Sequence, residues 1–259
     1  MANLSIIINP SGAHRNTGIL PIWLIIFSVS LPTLRGQTGG TPSDPGVQGQ
    51  MLVKSILDSW PASSFTNTGT LKIRDERHKT VQLALTVRTV ALTSQWENIY
   101  QTTGSNGTET LEIIHTVDQP NRYLMIAAAG DHSVTNSPGD LMAPFAQSDL
   151  WLADLGLEFF HWPAQKILKK EVRRSRGCIV LESTNPNPGP KTYSRVLSWI
   201  DEESNGIIHA EAYDFNNGLL KEFDPKSFKK VKGQWELQEM EIDNAQTESR
   251  TRLDLDLPK

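Results

Sequence analysis

Val81-Gln82-Leu83-Ala84-Leu85-Thr86-Val87-Arg88 places apolar side chains at every second position, with Gln, Thr and Arg between most of them. Successive side chains of an extended chain point to opposite faces, so this period predicts a strand with one apolar and one wet face. The same mixed face recurs in Leu111-Glu112-Ile113-Ile114 and Tyr123-Leu124-Met125-Ile126. Tight-turn residues separate such stretches: Ser105-Asn106-Gly107, Asn205-Gly206, Asn216-Asn217-Gly218 and Lys232-Gly233. Asn-Gly pairs supply the left-handed backbone that two-residue hairpins need. Pro186 to Pro190 reads as a loop between strands, and Leu253, Leu255 and Leu257 mark a final strand. Short strands joined by tight turns predict an antiparallel meander.

Two stretches depart from this rhythm. Met51, Leu52, Ile56 and Leu57 repeat at helical spacing, and Asp58-Ser59-Trp60-Pro61 ends the pattern. Residues 148–162 read as a second helix, capped by Ser148 or Asp149, with Leu152, Leu155 and Phe159 on one face. A helix within a meander is expected to lie across the sheet and cover its apolar side. The fold class is therefore mainly β with a few helices (α+β), built on an antiparallel sheet.

The chain has 259 residues, enough for a sizeable core, and a formal net charge of −4. That balance argues against nucleic acid as a partner. The single cysteine, Cys178, allows no internal disulfide and no thiolate metal cluster. Asn16 to Leu34 contains no charged side chain, its apolar centre runs from Ile19 to Phe27, and Arg15 precedes it. That order is the layout of a secretory signal peptide, so the protein is expected to be exported, or tethered if the segment stays as an anchor. Gln37 stands where a lipid-bearing cysteine would be, so no lipid anchor is expected there. The expected division is residues 1–36 as signal peptide or N-terminal anchor, 37–50 as flexible linker and 51–259 as a single domain.

No Gly-x-Ser-x-Gly, phosphate-loop or His-Glu-x-x-His pattern occurs. The six histidines (His14, His78, His115, His132, His161 and His209) are scattered, and none pairs with another at metal-ligand spacing. A lone strand histidine such as His209 reads as a surface or hydrogen-bonded residue. Cys178, before Ile179-Val180-Leu181, reads as an inert core thiol. Asp254 and Asp256 read as a solvated strand edge, and Lys226, Lys229, Lys230 and Lys232 as a solvated loop. No catalytic residue, metal or cofactor is expected. Trp96, Trp151, Trp162, Trp199 and Trp235 fall in the folded region and are expected mostly in the core. A single sheet with few covering helices leaves surplus apolar surface, which would line a cavity for an apolar ligand.

The C-terminal half resembles the bacterial outer-membrane lipoprotein-sorting proteins, related to the carriers LolA and LolB. The matching stretches run in order: Ser148-Asp149-Leu150-Trp151-Leu152-Ala153-Asp154-Leu155, Gly177-Cys178-Ile179-Val180-Leu181-Glu182, and Tyr193-Ser194-Arg195-Val196-Leu197-Ser198-Trp199-Ile200-Asp201. Ala210-Glu211-Ala212-Tyr213-Asp214, Gly218-Leu219-Leu220-Lys221 and Thr247 to Leu257, with Arg250-Thr251, follow. The resemblance covers residues 145–257. It implies a strongly curved, incomplete antiparallel barrel with helices as a lid, and a role in shielding lipid or acyl chains in the periplasm.

Together these readings predict a non-catalytic periplasmic carrier for lipoprotein acyl chains or another lipid. The expected cavity lining is Leu83, Leu85, Val87, Leu111 and Ile113 on the sheet, Trp151, Leu155 and Phe159 on the lid helix, and Trp199. Arg195, beside Trp199, is a candidate buried structural charge. The alternative with the same fold is a protein-binding sensor or an accessory factor of a cell-envelope lipid exporter, so a membrane-bound exporter or acceptor is a second expected partner class.

Overall fold

The computed structural model describes residues 44–105, 107–127, 132–135, 140–231 and 234–257. It opens with helix α1 (Pro45–Leu57). The Asp44 carboxylate accepts from the amides of Gly46 (2.7 Å) and Val47 (3.3 Å). Pro45 occupies a first-turn position that needs no amide hydrogen. The helix therefore starts at Pro45, not near Met51, and the expected linker of residues 37–50 ends earlier. Its Gly/Pro/Ser composition hid an Asp-Pro cap. The buried face is Gly49, Val53 and Ile56, whereas Met51 is exposed. The signal segment and residues 37–43 lie outside the described residues.

Six strands follow: β1 (Phe65–Arg74), β2 (Thr80–Ala91), β3 (Gln95–Gly104), β4 (Gly107–Thr116), β5 (Arg122–Ile126) and β6 (His132–Thr135). After a crossing segment come β7 (Ala164–Arg173), β8 (Arg176–Thr184), β9 (Arg195–Asp201), β10 (Ile207–Tyr213), β11 (Leu219–Val231), β12 (Gln234–Asn244) and β13 (Arg250–Asp256). All belong to one 13-stranded antiparallel sheet, ordered β6-β5-β4-β3-β2-β1-β13-β12-β11-β10-β9-β8-β7. Each half is a meander, and the β1–β13 pairing, Leu71 opposite Leu253, joins them. The sheet is curved and does not close; β6 and β7 are its edges. Irregular register in β7, β10 and β11 contributes to the bending.

The turn signals fall where they were expected. Gly107 (φ 112°), Asn205 (φ 56°) and Asn217 (φ 63°) take the left-handed backbone between paired strands. Asn106 and Lys232-Gly233 lie outside the described residues, though the strands flanking each pair as hairpins. Asp254 and Asp256 correct their reading. β13 is an interior strand, and these carboxylates line its solvated face, not an edge.

The stretch from residue 140 to 162 links the two edge strands, which obliges it to traverse one face of the sheet. It is not the continuous helix expected over 148–162. Only α2 (Leu152–Leu155) is α-helical, flanked by 3-10 turns at Phe145–Gln147 and Glu158–His161. Leu157, at φ 51°, breaks the helical path. Ser148 and Asp149 do not cap it. The Asp154 carboxylate accepts the Trp151 amide (2.8 Å), and Ser148 and Asp149 instead make local and sheet contacts.

The main core sits between this segment and the inward side chains of the sheet. Leu71, Leu85, Val87, Tyr100, Leu111, Ile113, Val196, Ile200, Phe223 and Leu253 meet Leu150, Leu152, Leu155, Phe159 and Phe160 there. A small second cluster (Cys178, Val180, Trp199 and Ile208) lies on the opposite face. The tryptophans are less buried than expected: Trp96, Trp151 and Trp162 are half-buried and Trp235 is exposed. No helix among the described residues is long and apolar enough to cross a membrane.

Candidate ligand-binding site

A buried polar brace fixes the crossing segment to the sheet. Asp154 and Lys221 are both fully buried, with Lys221 Nζ 3.3 Å from the Asp154 carboxylate. Asp154 also accepts from the Tyr193 hydroxyl (2.8 Å). Lys221 donates to the Asp149 carbonyl (2.7 Å) and lies 3.4 Å from the centre of the Trp151 ring, which stacks on Tyr193. Burial pushes Lys221 down to about 8, with Asp154 opposing the shift. Burial likewise raises the Asp154 carboxyl, against Lys221 and its hydrogen-bond donors. Asp149 accepts from the hydroxyls of Ser249 (2.6 Å) and Thr251 (2.9 Å). Residues from four separate stretches that carry the family resemblance thus meet in one place. With every charge met, their arrangement is structural.

The open space lies toward one end of the same face. α1 packs on β7, and the approach is so close that a Cβ on Gly49 would stand 2.7 Å from the Gln165 carbonyl oxygen. Gln50 Nε2 donates to the Pro163 carbonyl (3.2 Å). Between α1, the ends of β3 and β4, and residues 155–163 remains a cleft of about 470 Å³. Val53, Ile56, Leu57, Trp60, Trp96, Phe160 and Trp162 give it apolar walls. That volume falls within the usual range for small-molecule sites, roughly 300–1,000 Å³.

Polar groups mark one wall. His115 stacks on Trp96 across the β3–β4 pair, ring centres 3.8 Å apart. His161 stands on the crossing segment. The Nε2 atoms of both are buried without a hydrogen-bond partner among the described residues. Burial holds the His115 imidazolium down to about 3, against the opposing effect of the neighbouring Asn121 side chain, and lowers His161 too. Both rings are neutral at pH 7. Asn121 donates to the Gly156 carbonyl (2.8 Å), and Glu158 accepts from the Tyr123 hydroxyl (2.9 Å). At the rim, Lys54 bridges Asp58 (3.1 Å) and Asp118 (3.2 Å), tying the end of α1 to the β4–β5 turn. These groups are exposed, so water and salt screen the tie.

The expected lining residues divide into three groups. Leu155 alone lines the cleft. Leu85, Val87, Leu111, Ile113 and Phe159 are buried in the main core, and Leu83 and Trp151 pack against it. The chain's own crossing segment covers that part of the sheet. Trp199 is the correction. Val196, Ser198 and Ile200 point inward on β9, so Trp199 faces out, donating to Glu171 and lying under Arg173. Arg195 also points outward, over the Tyr213 ring at 3.6 Å and bonded to Asn217 (2.8 Å). Cys178 is buried in the outer cluster with its thiol pushed up, as expected of an inert residue. Lys226, Lys229 and Lys230 lie on strand β11, not in the expected loop; Lys226 is ion-paired to Asp224 and Glu241, and Lys229 donates to the Leu257 carbonyl. Lys232 lies outside the described residues.

A family model described as an uncharacterized protein matches residues 99–258. Among curated proteins, none matches. Solved structures share the fold at low identity. One is a DUF1329 family protein from Desulfovibrio piger, with a TM-score of 0.66, 16% identity, and coverage of 83% of this chain and 92% of that one. Another is a domain from Vibrio parahaemolyticus described as an outer membrane lipoprotein-sorting protein, with a TM-score of 0.68, 15% identity, and coverage of 82% and 92%. A third is a LolA superfamily protein from Nitrosomonas europaea, with a TM-score of 0.58, 16% identity, and coverage of 81% and 94%.

Proposed function

Because the chain belongs to the family matched over residues 99–258, and shares its fold with lipoprotein-sorting structures, we propose that it is an exported, non-catalytic carrier of lipid or acyl chains. On this reading the curved sheet is an incomplete barrel, and α1 with residues 155–163 forms its lid. The observation that carries the reading is the apolar cleft between those elements. Each methylene moved from water to its walls contributes about 0.8 kcal/mol, and no reaction is required. The unpartnered Nε2 atoms of His115 and His161 give a polar ligand end two neutral hydrogen-bonding groups. Release follows from lifting α1, whose far end is held to the β4–β5 turn through the exposed Lys54 pairs. Residues 1–36 would direct export or anchor the chain.

Displacement of a fluorescent acyl probe, with native mass spectrometry on the protein purified from its own cell envelope, tests this. Acylated species should co-purify. Leu57→Asp, at a half-buried wall position, should weaken probe uptake at least about tenfold while leaving circular dichroism unchanged. A clean protein mass, with no uptake after incubation with lipids and lipopeptides, would overturn the proposal.

One feature favours a second reading, a protein-binding accessory factor. Val47 and Met51, one turn apart on α1, are 51% and 68% exposed. Co-purification of a membrane protein without lipid, lost on Met51→Lys, would move the assignment there.

A further inference from the structure

We propose that the outer face of the sheet holds a divalent transition-metal ion, bound by His209, Glu211 and Glu222. This face is remote from the ligand cleft, because the neighbouring Ala210, Ala212, Lys221 and Phe223 point into the opposite side. His209 and Glu211 are two residues apart on β10, so strand geometry gives them one face. The antiparallel register sets Glu222 of β11 directly opposite Glu211. Each of the three offers a ligand atom within 4.8 Å of the other two.

The local chemistry favours a cation. Two carboxylates facing each other across a strand pair repel. Glu211 accepts from the Tyr213 hydroxyl (2.6 Å), but Glu222 has no hydrogen bond or ion pair among the described residues. The nearby cations are engaged elsewhere: Arg174 and Lys226 with Asp224 (2.6 and 2.8 Å), and Arg173 over the Trp199 ring at 4.8 Å. His209 is 3% exposed, and its Nε2 stands 3.4 Å from Glu211. That is long for a hydrogen bond. It matches the roughly 3.3 Å between two ligand atoms on a tetrahedral ion with bonds of about 2.0 Å. The other ring nitrogen, Nδ1, is buried without a hydrogen-bond partner and faces the Asp224 carboxylate at 3.5 Å. Metal-bound histidines ordinarily donate that second N–H to a carboxylate, so Asp224 is the orienting partner. Imidazole with carboxylates suits Zn²⁺ among the available divalent ions.

Isothermal titration of the full chain with ZnCl₂ tests the site, with Glu222→Gln as the principal variant because this half-buried residue has no hydrogen bond or ion pair among the described residues and the change keeps its shape. The expected result is one ion per chain, with affinity weakened at least about tenfold by Glu222→Gln at unchanged circular dichroism. His209→Gln should abolish binding. Co²⁺ should quench Trp199, whose ring lies 4.9 Å from the His209 ring, and Trp199→Phe should remove that component. No binding up to millimolar Zn²⁺, or binding that Glu222→Gln leaves unchanged, would overturn the proposal.

Discussion

A fully buried carboxylate persists only where its charge is met, and Asp154 is met by Lys221, Tyr193 and the Trp151 amide. Removing one partner strands the other. Lys221→Met should therefore lower stability by about 3–5 kcal/mol in urea unfolding, and the double variant Lys221→Met/Asp154→Asn should recover much of that loss. His115 makes a second prediction. Its folded value is held to about 3 by burial, below the ordinary 6.5. The unfolded chain therefore binds the extra proton between those values, and stability falls as pH drops through that window. Replacing the ring with His115→Phe should flatten the slope of the denaturation midpoint between pH 6.5 and 4. Asp154 and Tyr193 were visible in sequence only as parts of resembling motifs. The spacing of His115 and His161 along the chain gave no hint that the fold sets both on one cleft.

At the scale of elements, alternation and turn residues located the strands well, since a period of two and an Asn-Gly pair act locally. The crossing segment is not legible in the sequence as it folds, because Leu152, Leu155 and Phe159 mimic a helical stripe. Leu157 in the left-handed region ends the helical path after one turn, and Asp154 is held by the buried Lys221 of the sheet as well as by the Trp151 amide, a contact that no local pattern encodes. The face that Trp199 occupies is hidden from the sequence for a related reason. The inward residues beside it, Val196, Ser198 and Ile200, include a serine, which blurred the alternation. For α1, the close approach at Gly49 decides how the helix sits on β7. Gly49→Val should push α1 outward, cost about 1–3 kcal/mol, and speed amide exchange across 45–57 more than in β1 and β13.

For the whole molecule, one consequence of the topology matters most. The chain leaves the sheet at one edge, crosses one face and re-enters at the other edge, so most of that face is filled by the chain itself. A sequence shows how much apolar surface a sheet carries, but not which part its own loops cover. The remaining opening lies where α1 and residues 155–163 meet the ends of β3 and β4. A carrier role therefore depends on that cleft. Its most direct test is photocrosslinking of the purified protein with a diazirine-bearing fatty acid, mapped by peptide mass spectrometry. Adducts confined to residues 50–60, 96–98, 115–121 and 155–163, lost on competition with unlabelled acyl chains, are the predicted result. No specific adduct, or adducts confined to the outer face around Trp199, would contradict it.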